Sequence, residues 1–432
     1  MKPHAASPLS RRQFLQRATA AAALPLVVPG SVLGLNGAVA PNSRIVFGGI
    51  GLGNRAMGTL PNFLSFAEIQ YLAVSDCRAD RLKRAKERVD AHYGNQDCVA
   101  CPDFRDLLAR KDVDAVSLAT GNRWHGLGSI YAARAGKDIY CEKPVTLTIG
   151  EGRKLVDTCQ RFGTIYQAGT QRRSTASYRF AVEMVRQGRL GHLQTVEMQV
   201  WAGPGIPHDK VAPVPEGWDY DTWLGQSPWY PFVPARANAW QYFWDTAEGV
   251  LTDMGCHYTD QMQWALDTDH TGPLEFEAQA EFPDPAKFCS DTPITAVGHC
   301  KYANGVTGLM YQRGAFKDRS IRCIGDEGWI QVDDDTDLVT AEPKSILSLK
   351  GASAVGWGDA SDHIRNLLQS IRSRTPTACN PEVAHRAITI CQAWNIGLRL
   401  GRKLKWDPVK QRFDLEEANR MLYREPRAPW RA

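Results

Sequence analysis

A glycine-rich turn that follows a short apolar run is the strongest constraint on the fold of this 432-residue chain. Residues 45–50 read Ile-Val-Phe-Gly-Gly-Ile and predict a buried strand, and residues 51–56 read Gly-Leu-Gly-Asn-Arg-Ala. Glycines in a G-x-G-x-x-A turn let backbone N–H groups approach a pyrophosphate at the start of the next helix. A second apolar run, residues 69–75, leads to Asp76, an acidic residue placed to bind the ribose hydroxyls of NAD. The spacing therefore predicts a dinucleotide-binding fold.

Short apolar runs continue to alternate with helical stretches along the first part of the chain. We predict helices at 79–93, 104–111 and 126–135, and strands at 115–119 and 138–141. This alternation is typical of a parallel, doubly wound sheet, whose ligands bind at the carboxyl ends of the strands.

Two of these predicted strand ends carry reactive side chains. Residues 120–125 read Thr-Gly-Asn-Arg-Trp-His, and residues 142–144 read Glu-Lys-Pro. The proline restricts the backbone of Lys143, and a lysine in a partly desolvated cleft can act in proton transfer. An isolated Glu-Lys pair is more often a solvated surface pair, but the position at a strand end favours a functional role.

The sequence pattern changes after residue 163, where alternating stretches predict further strands. These stretches are 193–201, 274–282, 296–302, 306–313 and 320–332, with a hairpin turn signal at Asn304-Gly305. We therefore predict an α/β chain with two domains. An N-terminal Rossmann domain, 41–167, precedes a C-terminal α+β domain, 168–432, which has an open, mostly antiparallel sheet and C-terminal helices within 361–405.

A segment rich in tryptophan and proline interrupts the second domain at residues 201–247, here called the insert. It contains six of the 13 tryptophans of the chain, too many aromatic residues for a disordered segment. We expect most of these tryptophans to pack the insert onto the C-terminal sheet, and Trp240 to contact substrate.

Asp253, His257 and Asp260 have the spacing of one helical face. A carboxylate four residues before a histidine suits general acid–base catalysis, because it can tune the imidazole near neutral pH. A purely structural pair is about equally compatible with this spacing. No His-rich stretch completes a metal site, and Cys98 and Cys101 lack a second Cys pair, so we predict no bound metal.

The net charge of +4 arises entirely from residues 1–40, which hold four basic residues and no acidic ones. The rest of the chain is formally neutral, which argues against nucleic-acid binding. Arg11 and Arg12 begin a twin-arginine pattern, an Ala-rich apolar stretch follows, and residues 38–40 form an A-x-A cleavage signature. We predict that residues 1–40 are a twin-arginine export signal, that the mature chain is periplasmic, and that it has no stable membrane anchor.

Together these patterns resemble the glucose–fructose oxidoreductase, inositol dehydrogenase and MocA-like (Gfo/Idh/MocA) family over nearly the whole mature chain. The resemblance rests on the His125 loop, G-I-G-L-G-N-R-A at 49–56, A-G-K-D-I-Y-C-E-K-P at 135–144 and D-M-G-C-H at 253–257. The export signal, G-T-Q-R-R-S at 169–174, the insert and G-R-K-L-K-W-D-P at 401–408 are similar to an exported bacterial branch. Two departures are Ala56, where many members have glycine, and Gly121, where members often have proline.

The resemblance implies roles for individual residues. Lys143 and His257 are the implied proton-transfer residues, with Asp253 orienting the substrate or the imidazole. Substrate contacts are expected from Arg172, Trp240 and His257. The expected cofactor-binding residues are Gly51, Leu52, Gly53, Asn54, Arg55, Asp76, Thr120, Asn122, Trp124, His125, Glu142, Lys143 and Gln171.

The family likeness implies an NAD-dependent oxidoreductase that acts on a hydroxyl of a sugar, sugar derivative or glycoside, whereas Asp76 disfavours NADP. An exported enzyme has no NAD pool to draw on, so we expect a retained cofactor and a redox-neutral cycle. One alternative is an NAD-dependent glycoside hydrolase that works by transient oxidation, elimination, water addition and re-reduction. Another is a non-catalytic sugar-binding protein. We also expect a homo-oligomer formed through the C-terminal sheet.

Overall fold

The computed structural model describes residues 39–349 and 360–431. The predicted export signal lies almost wholly outside the described residues, which begin with its last two positions and a 3-10 turn at Pro41–Ser43. In the described part of the chain, no helix is both long enough and apolar enough to cross a membrane.

The first half of the chain builds one parallel sheet with helices between its strands. The strands are β1 (Ile45–Ile50), β2 (Ile69–Ser75), β3 (Val99–Cys101), β4 (Ala115–Leu118), β5 (Asp138–Cys141) and β6 (Tyr166–Ala168). The helices are α1 (Asn54–Leu64), α2 (Ala79–Tyr93), α3 (Phe104–Ala109), α4 (Asn122–Arg134) and α5 (Ile149–Phe162). The strand order is β3-β2-β1-β4-β5-β6, with every pair parallel. The predicted doubly wound sheet is confirmed, and its crevice lies where β1 meets β4.

Local sequence signals account for the ends of helices that connect the strands of this sheet. Thr148 caps α5 by accepting a hydrogen bond from the Glu151 backbone N–H, and Gly163 ends the same helix in the left-handed conformation. The prediction was wrong for α4, which begins at Asn122 rather than at residue 126. Residues 122–125 are thus the first turn of a helix and not a loop, which fixes their side chains at the strand edge.

The second half builds a nine-stranded sheet. Its strands are β7 (Leu193–Val200), β8 (Glu275–Glu281), β9 (Thr295–Lys301), β10 (Thr307–Gln312), β11 (Ser320–Gly325), β12 (Trp329–Asp333), β13 (Val339–Glu342), β14 (Leu404–Asp407) and β15 (Arg412–Phe413). The order is β13-β12-β11-β7-β10-β9-β8-β14-β15, and within the described part of this sheet only the β7–β10 pair is parallel. The mostly antiparallel sheet is confirmed, but the single strand predicted at 320–332 is wrong. A Gly-Asp-Glu-Gly turn at 325–328 divides it into the antiparallel pair β11 and β12.

The remaining helices cover the second sheet and return to the first. They are α6 (Ala176–Arg186), α7 (Tyr220–Leu224), α8 (Pro234–Asn238), α9 (Val250–Asp253), α10 (Gly255–Ala265), α11 (Ala360–Ser373), α12 (Pro381–Leu400) and α13 (Glu416–Arg420). Short 3-10 turns occur at Gln171–Ser174, Trp240–Tyr242 and Lys344–Ser348. The C-terminal helices expected within 361–405 correspond to α11 and α12, whereas residues 404 and 405 begin β14.

Two C-terminal helices join the halves of residues 45–432 into one compact unit. Helix α11 packs Ile364, Leu367 and Leu368 into the same apolar cluster as Phe47 of β1 and Phe63 of α1. Helix α12 is buried along most of its length and packs against both α5 and α10. The first sheet is therefore covered in part by helices from the far end of the chain.

His363 anchors α11 to the end of β6 without solvent contact. Its Nε2 lies 2.7 Å from the Ala168 carbonyl oxygen, and its Nδ1 lies 2.9 Å from the Ser174 hydroxyl. This pattern suits the neutral imidazole, whose one N–H donates to the carbonyl while the other nitrogen accepts. Burial lowers the pKa of His363 to about 4.

We predict that protonation of His363 weakens the fold at mildly acidic pH. Because the pKa of His363 in the folded chain is about 4, below the ordinary 6.5, the unfolded chain binds the proton first as the pH falls. Stability contributed by the neutral imidazole is complete above pH 6.5 and is lost towards pH 4. Urea titrations at pH 7.5 and 5.0 should show a drop in unfolding free energy that is about 2 kcal/mol smaller in His363→Gln.

The matched control is His270→Gln, which alters an exposed histidine. An equal pH dependence in His363→Gln and the unaltered chain would contradict this account of the buried imidazole.

Candidate active site and cofactor cleft

The glycine turn joins the carboxyl ends of β1, β2 and β4. Gly51 has a φ of +79°, and a Cβ atom there would lie 2.7 Å from the backbone N and Cα of Thr120. Its N–H donates to the Ser75 carbonyl at 2.9 Å. Helix α1 then starts after Gly53 with no side-chain cap. The backbone N–H groups of its first turn are therefore available to an anion.

Asp76 shapes this turn from the end of β2. Its Oδ2 accepts from the Leu52 N–H at 2.6 Å and its Oδ1 accepts from the Arg78 N–H at 2.8 Å. Burial raises the pKa of the Asp76 carboxyl, and the two N–H donors oppose that rise. The Arg78 guanidinium turns away to make a bidentate pair with Asp80, at 3.0 and 2.8 Å. Arg81 also lines the cleft and acts on Asp76 electrostatically. The preference for NAD over NADP therefore rests on the Asp76 carboxylate itself, which would repel a 2′-phosphate.

A cleft of about 400 Å³ opens beside the glycine turn. It contains seven of the predicted cofactor-binding residues, namely Gly51, Gly53, Asn54, Arg55, Asp76, Thr120 and Trp124. Leu52 adjoins this cleft through its bond to Asp76. Five predicted cofactor-binding residues do not line the cleft, namely Asn122, His125, Glu142, Lys143 and Gln171.

Glu142 organises a second cluster just beyond β5, where it is almost wholly buried. Its Oε1 accepts from Arg55 Nε at 2.8 Å, from Gln171 Nε2 at 3.1 Å and from the Tyr140 hydroxyl at 3.4 Å. Its Oε2 is buried without a hydrogen-bond partner in the described chain. Glu142 therefore links the cofactor turn, through Arg55, to the segment after β6.

Asn122 and His125 are both buried in the first turn of α4. Asn122 Nδ2 lies 3.4 Å from the Ala247 carbonyl, at the end of the insert. His125 Nδ1 donates to the Pro144 carbonyl at 2.7 Å, and its Nε2 is buried without a hydrogen-bond partner among the described residues. Burial lowers the pKa of His125 to about 4, so its imidazole is neutral.

Lys143 and Asp253 meet where the two sheets approach each other. Lys143 Nζ donates to the Asp253 backbone carbonyl at 2.9 Å and lies 3.4 Å from its Oδ1. Nearby, His257 is 5% exposed, and its Nδ1 is buried with no hydrogen-bond partner in the described chain. Burial lowers the pKa of His257 well below its ordinary value, and the positive charges of Arg172 and Lys143 lower it further. His257 is thus neutral.

Two amides of α12 hold the segments that carry this pair. Gln392 Nε2 donates to the Thr146 carbonyl at 3.1 Å, three residues after Lys143. Asn395 Nδ2 donates to the Thr252 hydroxyl at 2.6 Å, one residue before Asp253. One buried helix therefore sets the separation of Lys143 and Asp253.

Asp253, His257 and Asp260 were expected on one face of a single helix, but the structure divides them between two helices. Helix α9 ends at Asp253, Met254 interrupts the helix, and α10 carries both His257 and Asp260. The Asp253 carboxylate faces Lys143, and in the described chain no hydrogen bond joins it to His257. Asp260 lies apart from this group, fully buried in an ion pair of 2.9 Å with Arg173. Among the described residues the Asp253 carboxylate is therefore paired with Lys143 rather than with the imidazole.

The residues expected at the substrate are divided between two places. Arg172 Nε lies 2.5 Å from an Asp334 carboxylate oxygen, and Tyr178 donates to the same carboxylate. Arg172 still acts electrostatically on His257. Trp240 instead lines the cofactor cleft.

The insert does not pack mainly onto the C-terminal sheet, so that expectation was wrong. Its cluster of Trp223, Leu224 and Phe232 packs with Trp218 and Cys77, which lies just after β2. Trp124 Nε1 donates to the Thr222 carbonyl at 2.8 Å. The middle of the insert is therefore held against the Rossmann sheet at the cleft. Its first residues instead run beside residues 288–294 of the C-terminal domain, where the Gly203 N–H donates to the Ile294 carbonyl at 2.7 Å.

Sequence reasoning missed Arg123, Tyr140 and Asp334. Arg123 lines the cleft. The sequence signal that could have identified it is Gly121, which stands where proline is common in the family. Tyr140 and Asp334 carry no local signal, because their partners Gln171 and Arg172 are distant in sequence.

The residues present fit NAD. A glycine turn that cannot hold a Cβ, an uncapped helix start and a carboxylate at the end of β2 are the groups that a dinucleotide needs. Within the described residues, no cluster of three His, Cys, Asp or Glu side chains is arranged to hold a metal ion.

We predict that Gly51→Ala impairs both folding and dinucleotide binding. The left-handed backbone costs an L-residue about 1–2 kcal/mol, and the new Cβ would meet the Thr120 backbone at 2.7 Å. Thermal unfolding should occur at lower temperature, and fluorescence titration with NADH should show at least tenfold weaker binding. The control is Gly58→Ala in α1, where a Cβ meets no atom within 4 Å; equal behaviour of the two variants would refute this role of Gly51.

Two family models match the chain. The NAD-binding Rossmann-fold model of an oxidoreductase family matches residues 45–170, and the C-terminal alpha/beta-domain model of the same family matches residues 197–432. The chain is similar to the rhizopine catabolism protein MocA of Rhizobium meliloti, with 25% identity over 67% of this chain and 77% of that protein. A glycosyl hydrolase family 109 protein of Saccharopolyspora erythraea is 35% identical over 36% of this chain. In that match the chain spans 38% of the relative's length.

Solved structures share the fold at low sequence identity. The WlbA dehydrogenase of Bordetella pertussis, solved with NADH and UDP-GlcNAcA, aligns with a TM-score of 0.63 at 17% identity, over 84% of this chain and 99% of that chain. The aldose-aldose oxidoreductase of Caulobacter crescentus aligns with a TM-score of 0.61 at 20% identity, over the same shares of the two chains. With both domain models matched in chain order, the chain belongs to the Gfo/Idh/MocA oxidoreductase family.

Proposed function

We propose that this chain is an NAD-dependent oxidoreductase that acts on a hydroxyl group of a sugar, sugar derivative or glycoside. The observation that carries the proposal is the contact of Lys143 with Asp253 near a neutral His257, at the edge of the sheet that forms the cofactor cleft. The names of related proteins support a carbohydrate substrate, since they include an aldose-aldose oxidoreductase.

The described side chains suit removal of a hydroxyl proton. When bound, NAD would supply the acceptor for a hydride from the substrate carbon. The neutral His257, with an unpartnered ring nitrogen, is suited to accept the hydroxyl proton as a general base. Lys143 Nζ is suited to donate a hydrogen bond to the substrate oxygen. Asp253 positions Lys143 through two of its oxygen atoms.

A second candidate, a glycoside hydrolase, is favoured by the relatives named as glycosyl hydrolase family 109 proteins. A carbonyl formed on the sugar acidifies the neighbouring C–H, so that a base can remove that proton and the aglycone leaves. Addition of water and reduction of the carbonyl then complete a cycle with no net oxidation. His257 and Lys143 would handle protons in this cycle as well.

The twin-arginine pattern at Arg11 and Arg12 supports a periplasmic location. A dinucleotide that dissociated there could not be replaced from a cytoplasmic pool. We therefore infer that the cofactor is retained and that each turnover returns it to its starting redox state.

We predict that Lys143→Met lowers turnover by at least a hundredfold, since positioned proton-transfer groups contribute about 10²–10⁴-fold. Stopped-flow absorbance of the nicotinamide, with a panel of sugars and aryl glycosides, measures the effect. Lys111→Met removes an exposed lysine and is the matched control. Aglycone release without added NAD would favour the hydrolase, and sugar-dependent reduction without release would favour the oxidoreductase. Turnover unchanged in Lys143→Met would disprove its role.

The pH profile tests the role of His257 as base. Its pKa is lowered well below 6.5 by burial and by neighbouring cations, so it stays deprotonated and competent as the pH falls to 6.5. The acid limb of the single-turnover rate should lie below that value and should disappear in His257→Gln. An acid limb at or above 6.5 that His257→Gln removes would contradict a depressed pKa.

The C-terminal sheet supports the proposed homo-oligomer. One of its faces presents partly exposed apolar residues in two groups, Val297, Leu309 and Tyr311 on β9 and β10, and Ile324 and Trp329 on β11 and β12. Between the two groups, β7 places Thr195 and Glu197 on the same face. An exposed sheet face that carries apolar residues beside polar ones is suited to contact between subunits. Sedimentation velocity should show a species larger than a monomer, which Tyr311→Lys converts to monomer, while Val409→Lys at an exposed site leaves it unchanged. A monomeric unaltered chain would rule the proposal out.

A further inference from the structure

The insert forms one wall of the cofactor cleft. On one side the cleft is lined by residues at the ends of β1, β2 and β4. On the other side it is lined by the insert residues Thr222, Trp223, Asn238, Trp240 and Gln241. A dinucleotide in the cleft would therefore lie between the Rossmann sheet and the insert.

The insert also pairs with the segment after Asp76. Residues 217–219 run antiparallel to residues 77–79, joined by two backbone hydrogen bonds of 2.8 Å. The Arg78 guanidinium lies 4.5 Å from the centre of the Trp218 ring. Because Asp76 is the expected ribose-binding residue, this pairing places the insert over the adenosine end of the cleft.

Arg123 supplies a positive charge in the same place. It is 2% exposed, its guanidinium carbon lies 4.0 Å from the Trp223 ring centre, and its Nε donates to the Trp223 carbonyl at 2.7 Å. Its Nη1 is buried with no hydrogen-bond partner among the described residues. A Cβ at Gly121 would lie 2.6 Å from this Nη1. The glycine that replaces the family's frequent proline therefore makes room for Arg123.

A buried guanidinium with an unpartnered nitrogen is costly unless an anion approaches it. The cleft that Arg123 lines begins at an uncapped helix start, where a pyrophosphate is expected to bind. The two phosphates of a dinucleotide are anions of the kind that would meet this donor.

We propose that Arg123 and the insert form a clamp over the adenosine and pyrophosphate part of the dinucleotide. In this clamp Arg123 pairs with a phosphate oxygen, and Trp223 and Trp240 close the outer wall. The clamp makes dissociation of the cofactor slow. This inference rests on the proposed use of a dinucleotide, and it assigns retention to residues of the chain itself.

The test measures cofactor release without catalysis. The full chain is loaded with NADH and chased with excess NAD, and the loss of NADH fluorescence gives the dissociation rate. Arg123→Met should raise this rate at least tenfold, and Trp240→Leu should raise it several-fold. Trp229→Ala, which removes an insert tryptophan that is 63% exposed, should leave the rate unchanged.

Competition with ADP-ribose and adenosine identifies the phosphate contact. Arg123→Met should weaken displacement by ADP-ribose and leave displacement by adenosine unchanged. The clamp would be overturned if NADH bound and its release rate were the same in Arg123→Met, Trp240→Leu and the unaltered chain. That result would leave the proposed function standing. An unaltered chain that neither contains a dinucleotide after purification nor binds added NADH would overturn both. If Arg123→Met fails to fold, Trp240→Leu alone decides.

Discussion

The burial of a single helix between the two sheets determines where the reactive groups lie. Helix α12 has no solvent-facing stripe over most of its length, so its amides must find partners within the protein. Gln392 and Asn395 find them in the backbone after Lys143 and in the hydroxyl before Asp253. Satisfying these two amides brings Lys143, which follows strand β5, within hydrogen-bond distance of Asp253, which ends helix α9. Lys143 and Asp253 are 110 residues apart in sequence, and they meet because α12 holds both segments.

Electrostatics at the site follow from the same packing. His257 is enclosed by protein and lies near several cations, and both effects disfavour its charged form. Each of two nearby cations has its own carboxylate, since Arg55 pairs with Glu142 and Arg172 pairs with Asp334. The imidazole therefore remains neutral among fixed ion pairs, which is a suitable state for a group that must accept a proton.

The first sheet could be predicted because its signals lie in neighbouring residues. The rest of the site could not, because it depends on contacts between residues that are distant in sequence. The glycine turn, Asp76 and the strand before Lys143 are encoded by neighbouring residues, so their places could be predicted. The interruption of the helix at Met254 could not be predicted, because the spacing of Asp253 and His257 is equally compatible with one continuous helix. The docking of the insert depends on contacts such as that of Arg123 with Trp223, which join residues 100 positions apart. A periodicity within one segment carries no information about such contacts.

The last part of the chain reinforces the insert from outside. Trp430 packs edge-on against Trp124 with ring centres 5.0 Å apart, and Arg427 pairs with Asp221 of α7 at 2.6 Å. These contacts cannot form until residue 430 has left the ribosome, after both sheets have been synthesised. These contacts are therefore among the last to form, and the wall of the cleft that the insert provides is complete only after the C-terminal segment has docked.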